Sequence, residues 1–311
     1  MSALFTALLA AGLAEGAIAA LAAVGFLITY KATGVVNFAQ GDLITLGAFI
    51  AIWLTQKQGA FGLGVFGPDG LGLIPGYIIT IAIMFVIGMV LERLAYAPLR
   101  GRSIHVVVIA TLGAAIVLRA FIGLWQGSSP RFLNTPVQGD ILHLNGAAIV
   151  WQRVIIMIVT ALVITVTILL FQYTQFGRQL RATAADRDTA RLYGVPVNMM
   201  SMIAFGISAA LAGLAGILIG PLGNVQLDLG FNYMILGFAA AVLGGFGSLG
   251  GVVVGGVAMG LVEQLLGGYM VQWFGTPGIG DYKSAYPFVL MLVVIAVRPQ
   301  GLFTRGAGQR L

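Results

Sequence analysis

The 311-residue chain contains no cysteine. That absence excludes disulfides, a cysteine zinc site and thiol chemistry, and leaves the compartment open. Charge is the second scarcity. Charged residues make up 8% of the chain, against roughly 25% in a soluble globular protein. Hydrophobic residues make up 59%, and the mean hydropathy is +1.01. This composition excludes a soluble enzyme, a disordered chain and a nucleic-acid binder, and places the protein in the membrane class. The net charge of +6 then reads as the excess of Lys and Arg that marks cytoplasmic loops. The two histidines, His105 and His143, are isolated and fall in no metal-ligand spacing. None of Lys31, Lys57 or Lys283 follows a glycine, so there is no phosphate loop. No basic residue precedes Lys31 and the apolar run from Ala3 to Tyr30 is too long for a signal-peptide core. It reads as a retained first span.

Apolar runs fall at about 8–30, 36–55, 74–96, 104–125, 150–172, 199–220, 233–246, 249–267 and 285–298. The pattern predicts an all-α polytopic membrane protein with about 8–9 transmembrane or re-entrant helices, in a single domain over 1–311. The seventh run is short, so it is read as tilted, broken or re-entrant. Arg93, Arg100 and Arg102 follow the third run; Arg178, Arg181, Arg187 and Arg191 follow the fifth; Arg298, Arg305 and Arg310 lie in the tail. The positive-inside rule puts all three groups in the cytoplasm. The connections near 126–150 and 268–284 then face outward, carrying Arg131 and Lys283. Parity closes if Gly244–Gly251 turns at the inner side, with nine crossings and the N-terminus outside, or eight plus a re-entrant segment. Trp53, Trp125 and Trp151 sit at outer ends of spans and Trp273 in an outer loop, which suggests an outer aromatic belt.

Polar groups inside the spans are the candidates for function, because an ionisable residue there costs about 2.5–3.5 kcal/mol on insertion scales. Asn37, Gln40 and Gly41 would share a helical face, with Asp42 beside them. Gly41 and Gly47 allow a kink or a close helix contact. Two readings stand: a broken helix lining a passage, or a structural hydrogen-bond cluster. Arg119 and Glu263 are the other intramembrane charges, and structural pairing is the favoured role for both. Glu15 reads as exposed near a wet surface. Small residues recur at 209–216 and 244–260, including Gly251-x-x-x-Gly255 and Gly256-x-x-x-Gly260, and predict tight helix packing. Outside the spans, 177–198 reads GRQLRATAADRDTARLYGVPVN. Its alternation of charge and alanine predicts one short amphiphilic helix ended by Gly194 and Pro196. Such a segment suits docking to a soluble partner, or alternatively a helix lying on lipid headgroups.

In order along the chain stand VNFAQGDLITLGAF (36–49), ERLAYAPLR (92–100), RATAADRDTARLYGV (181–195), ISAALAGLAGIL (207–218), AAVLGGFGSLGGVVVGG (240–256), Glu263 and RPQGLF (298–303). With these pieces the sequence resembles the LivH-type permease subunits of branched-chain amino acid ABC importers over roughly 10–305. The resemblance implies a permease of the LivH/LivM type in a bacterial or archaeal inner membrane. Its partners would be a second, LivM-like permease, two ATPase subunits that carry the ATP and magnesium, and an extracytoplasmic solute-binding protein. No cofactor is implied on this chain. Residues 177–198 would form the segment that docks on the ATPase, using Arg178, Arg181, Ala185, Asp186, Arg191 and Gly194. Asn37, Gln40 and Asp42 would belong to the broken second helix near the pathway. Arg119, Gly244, Gly245 and Glu263 are structural or gating candidates. Leu236–Gly237–Phe238 stands where many relatives carry Lys-Ala-Phe, and related permeases serve urea and short amides, so those solutes are the alternative class. A stand-alone ion-coupled transporter or channel, using Asp42, Glu263 and Arg119, is the competing function. An intramembrane enzyme ranks last, because no nucleophile–base pair has recognisable spacing.

Overall fold

The computed structural model describes residues 3–56, 72–137, 139–144, 146–274, 282–298 and 301–303. Lys57, Arg305 and Arg310 lie outside the described residues. Helices dominate: α1 Ala3–Thr33, α2 Gln40–Thr55, α3 Leu73–Leu91, α4 Ile104–Gln126, α5 Trp151–Tyr173, α6 Gln175–Ala185, α7 Arg187–Leu192, α8 Val197–Ile219, α9 Leu229–Gly244, α10 Leu249–Phe274 and α11 Tyr286–Val297. One antiparallel hairpin, β1 Ile141–Leu144 with β2 Ala147–Val150, precedes α5. After α3 the chain continues through a π-helical turn, Glu92–Tyr96, and a 3-10 turn, Ala97–Leu99, where Pro98 ends the helical run.

The protein is an all-α polytopic membrane protein. Among the described residues six helical stretches are long and apolar enough to cross a bilayer, and three shorter apolar helices accompany them. Every apolar run of the sequence becomes a helix, but the lengths differ from expectation. Shortness is not confined to the seventh run: α2 has 16 residues and α11 has 12. The second run loses its first residues because Val36–Ala39 are not helical. At the other extreme, α1 has 31 residues, about 46 Å at 1.5 Å per residue, against a hydrocarbon core of roughly 30 Å. Trp273 lies in the last turn of α10, beside Tyr269 at 5.7 Å, and not in a loop. The apolar character of that helix simply persists beyond residue 267.

The contacts divide the chain into two compact units, one of residues 1–24, 139–162 and 235–311, the other of 25–138 and 163–234. In the second unit, α2 and α3 pack on α8. Lipid gives no hydrophobic drive for helices to associate, so close backbone approach must supply the contact. A Cβ on Gly216 would strike the Ile44 carbonyl, and one on Gly47 would strike the Gly213 backbone. Gly88 likewise faces the Phe205 carbonyl. In the first unit, Gly260 meets the Gly16 backbone, Gly256 meets Ala20 and Gly255 meets the Ala240 carbonyl. Threonine hydroxyls within the spans donate four residues back, Thr55 to Ala51 at 2.7 Å and Thr80 to Gly76 at 2.8 Å, which absorbs their polarity inside the helix.

These glycines are not equivalent, and the difference is measurable. Gly216→Val should lower stability by about 1–3 kcal/mol or more, since the overpacked contact is with backbone that cannot yield. Gly113 has nothing within 4 Å of its would-be Cβ, so Gly113→Ala should be neutral or stabilising by roughly 0.5–1 kcal/mol. Thermal unfolding of the detergent-solubilised protein compares the two.

Candidate functional site

The second unit holds two polar constellations. The first surrounds the start of α2. Helix α1 stops at Thr33, where Gly34 takes φ +77° and its N–H donates to the Tyr30 carbonyl at 2.7 Å. The chain then runs unwound to α2. Asn37 therefore precedes the helix and does not share a helical face with Gln40 and Gly41, which corrects the sequence expectation. The physical reason is the Asn37 side chain: its Oδ1 accepts the Ala39 N–H at 3.1 Å, a local turn that competes with helix. Its Nδ2 is buried with no acceptor among the described residues. The Phe38 N–H donates to the Thr111 hydroxyl of α4 at 3.4 Å.

One turn on, Gln40 is fully buried. Its Nε2 donates to the Ser208 carbonyl at 3.2 Å. The Ser208 hydroxyl lies 2.8 Å from Gln40 Oε1 and 2.9 Å from the Gly25 carbonyl, so its single proton is shared between two acceptors. Gly25 has to be glycine, because a Cβ there would occupy the Gln40 amide. Asp42 is buried and takes Arg119 Nε on Oδ1 at 2.9 Å. The Arg119 guanidinium sits 5.4 Å from the Phe231 ring centre, a cation–π contact that holds its second face. The Gly230 N–H donates to the Thr45 hydroxyl at 2.9 Å. Asn37, Gln40, Asp42 and Arg119 thus gather at one end of α2. The aspartate–arginine partnership, 77 residues apart, was not legible in spacing, and neither were Ser208 and Phe231. A serine within the apolar run at 207–218 was the one available signal.

The second constellation is built on 177–198, which forms two helices where one was expected. Asp186 breaks it. With φ −157° and ψ 116° it is extended, and its Oδ1 accepts the N–H groups of Asp188 at 2.9 Å and Thr189 at 3.0 Å. An aspartate that caps the next helix cannot continue the previous one. Helix α6 buries Gly177, Leu180 and Thr183 and exposes Arg178, Arg181 and Ala185. Arg181 Nη1 donates to the Phe171 carbonyl, covering an open carbonyl near the end of α5. Helix α7 closes at Gly194, φ +80°, with Gly194 N–H donating to Arg191 O and Val195 N–H to Ala190 O, both at 3.0 Å. This Schellman closure is why glycine is required there.

Arg187, to which no motif gives a role, ties α7 to the spans. Its Nη1 donates to the Tyr96 hydroxyl at 3.1 Å and its Nη2 to the Ser201 hydroxyl of α8 at 3.0 Å. Tyr96 in turn donates to the Thr33 carbonyl at the end of α1, at 3.0 Å. In the same π-helical turn, buried Glu92 pairs with Arg100.

The remaining sequence candidates belong to the first unit. Glu263 on α10 is 8% exposed and accepts the Ser284 hydroxyl at 3.2 Å. Glu15 and Lys283 lie within its electrostatic range. Glu15 is itself half-buried. Gly244 ends α9 against the Gly251 backbone, and Gly245, φ +84°, makes the turn into α10. Among the described residues no group of three or more His, Cys, Asp or Glu is placed to hold a metal.

Comparison with known proteins gives a consistent picture. A family model described as branched-chain amino acid transport system / permease component matches residues 8–295. The chain is 33% identical over 305 residues to the high-affinity branched-chain amino acid transport system permease protein BraD of Pseudomonas aeruginosa, covering 94% of each. It is 30% identical over 299 residues to the LivH permease protein of the same kind of system in Escherichia coli K12, again covering 94% of each. A probable branched-chain amino acid transport permease protein LivH of Methanocaldococcus jannaschii is 27% identical over 295 residues, covering 91% of this chain and 87% of that one.

Two outcomes follow from the geometry. Arg119→Gln leaves the buried Asp42 carboxylate without its cation and should destabilise by roughly 3–5 kcal/mol. Adding Asp42→Asn should recover part of the loss in thermal unfolding. The N–H of Thr189, then its hydroxyl, then the N–H of Asp188 hold the Asp186 carboxyl below the usual carboxylate range. The cap is therefore present above the ordinary aspartate value of about 4 and is lost as pH falls through the lower folded value. Hydrogen-exchange protection of 187–192 should be flat near neutrality and fall only under acid conditions, and Asp186→Ala should remove it at every pH.

Proposed function

The chain belongs to the family of permease components of branched-chain amino acid transport systems, and on that premise we propose that it is the membrane-spanning subunit of an ATP-driven importer of branched-chain or other hydrophobic amino acids. It carries no recognisable nucleotide motif of its own. ATP and magnesium belong on two partner ATPase subunits. A LivM-like paralogue supplies the second permease, and an extracytoplasmic binding protein delivers the solute. The protein lies in the inner membrane with 177–198 and the C-terminus in the cytoplasm and the N-terminus outside, the orientation that puts Arg93, Arg100, Arg102 and the arginines of α6 and α7 on one side.

The observation that carries this reading is the construction of α6 and α7. They expose Arg178, Ala185 and Arg191 for a partner, while Arg187 links α7 to Tyr96, Ser201 and, through Tyr96, the end of α1. A displacement imposed on α7 is transmitted directly to the ends of the spans. No hydrolysis is needed on this chain; partner closure becomes alternating access. The pathway is assigned to the unwound segment and first turn of α2. There the buried Asn37 Nδ2 is a donor with no acceptor among the described residues, a group that an opening of the unwound segment would present to a passing polar solute, while Gln40 and Asp42 hold the turn in place. Gly244, Gly245 and Glu263 are assigned to the framework.

The test is reconstitution with the co-purified partners. Arg191→Glu and Ala185→Trp should each uncouple ATP hydrolysis from uptake, lowering uptake about tenfold or more while the complex still assembles. Arg181→Glu is the poorer probe, since Arg181 also covers the Phe171 carbonyl. Unchanged coupling in both variants would remove the docking assignment. Recovery of the chain alone, with solute flux driven by an ion gradient, would replace the importer by a stand-alone transporter. Uptake of urea or short amides in preference to leucine would move the solute class.

A further inference from the structure

A cavity of about 440 Å³ opens in the second unit where the α3–α4 connection meets α7. Arg100, Arg102, Arg187 and Arg191 line it, with Asp188 as the only acid in its wall among the described residues. The four arginines are not equally committed. Arg100 is paired with Glu92, although its Nε remains buried without an acceptor. Arg187 is held by Tyr96 and Ser201. Arg102 and Arg191 are exposed and have no side-chain partner among the described residues. Counting Glu92 and Asp188 against the arginines, the cavity keeps a net positive charge. Its neighbour is of the opposite character. An apolar groove of about 520 Å³ runs between α3 and α4, walled by residues such as Val90, Leu94, Pro98, Ala114 and Val117, with no polar side chain in its lining. Leu99 lines both. The basic cavity and the groove between α3 and α4 therefore adjoin across Leu99, and the groove follows two helices long and apolar enough to cross a membrane.

We propose that this composite is a binding site for an anionic phospholipid. Arg102 and Arg191 take the phosphate, and an acyl chain lies in the groove below Leu99. A zwitterionic lipid fits less well, because its own cation would meet the unpaired arginines. A headgroup held there bridges the α3–α4 connection and α7, so an anionic lipid braces α7 against the spans.

The test is native mass spectrometry of the full chain in mild detergent, titrated with phosphatidylglycerol, phosphatidylcholine or inorganic phosphate. The readout needs neither an ATPase nor a solute, so it stands apart from the importer reading. Phosphatidylglycerol should be retained at about tenfold lower concentration than phosphatidylcholine, and Arg102→Gln with Arg191→Gln should erase that preference, since charge-assisted contacts to phosphate carry it. Ala114→Trp, which fills the groove and leaves the arginines in place, should weaken phosphatidylglycerol retention and serves if the arginine variant does not fold. Equal retention of the two lipids, or retention of phosphatidylglycerol by the variants, would overturn the proposal. Displacement of phosphatidylglycerol by inorganic phosphate alone would make this a free-phosphate site and overturn it equally.

Discussion

Helices in a bilayer gain nothing by burying apolar side chains against one another, because lipid tails are already apolar. The rest of this structure depends on that constraint. Association has to come from surfaces that fit more closely than lipid can, and here the fit is backbone against backbone. Gly216 on Ile44, Gly47 on Gly213 and Gly260 on Gly16 are contacts that no side chain could share. A protein with 45 glycines would be poorly helical in water, where each interior glycine weakens a helix. In lipid the unmet backbone alternative is worse, so the helices persist and the glycines become the means of packing.

Such a framework leaves few places for polar chemistry. The structure concentrates it where the helical ladder is interrupted. The unwound residues between α1 and α2 carry Asn37, and the turn that follows carries Gln40 and Asp42. Each is engaged differently. Gln40 is locked by Ser208 and Gly25, Asp42 by Arg119, while Asn37 keeps one donor open. Backbone released from a helix needs other partners, and here Thr111 and the Asn37 side chain supply them for Phe38 and Ala39.

Most of the fold was legible in the sequence because in lipid an apolar run has to satisfy its backbone internally, as a helix, whatever its length. All nine apolar runs are helices. What was not legible came from side chains that override propensity locally. Asn37 turns the chain before α2 can begin, and Asp186 divides a segment whose alanines and arginines favour a continuous helix. Gly194 is legible as a stop because a Schellman closure has a local signature. Partnerships between distant residues have none. Asp42 and Arg119 were each visible as costly intramembrane charges, but only tertiary structure joins them. Arg187 with Tyr96, 91 residues apart, is hidden for the same reason, whereas Glu92 and Arg100 are only eight residues apart but are brought together by the irregular turn after α3, which the sequence does not announce.

Arg187 occupies a singular mechanical position. One planar guanidinium meets the π-helical turn after α3 and a serine of α8, and through Tyr96 reaches the last carbonyls of α1. A planar fork has little freedom to slide without breaking both bonds. Three helix ends therefore share one side chain as their tie, and removing Arg187 would unfasten α7 from the turn after α3 and from α8 together.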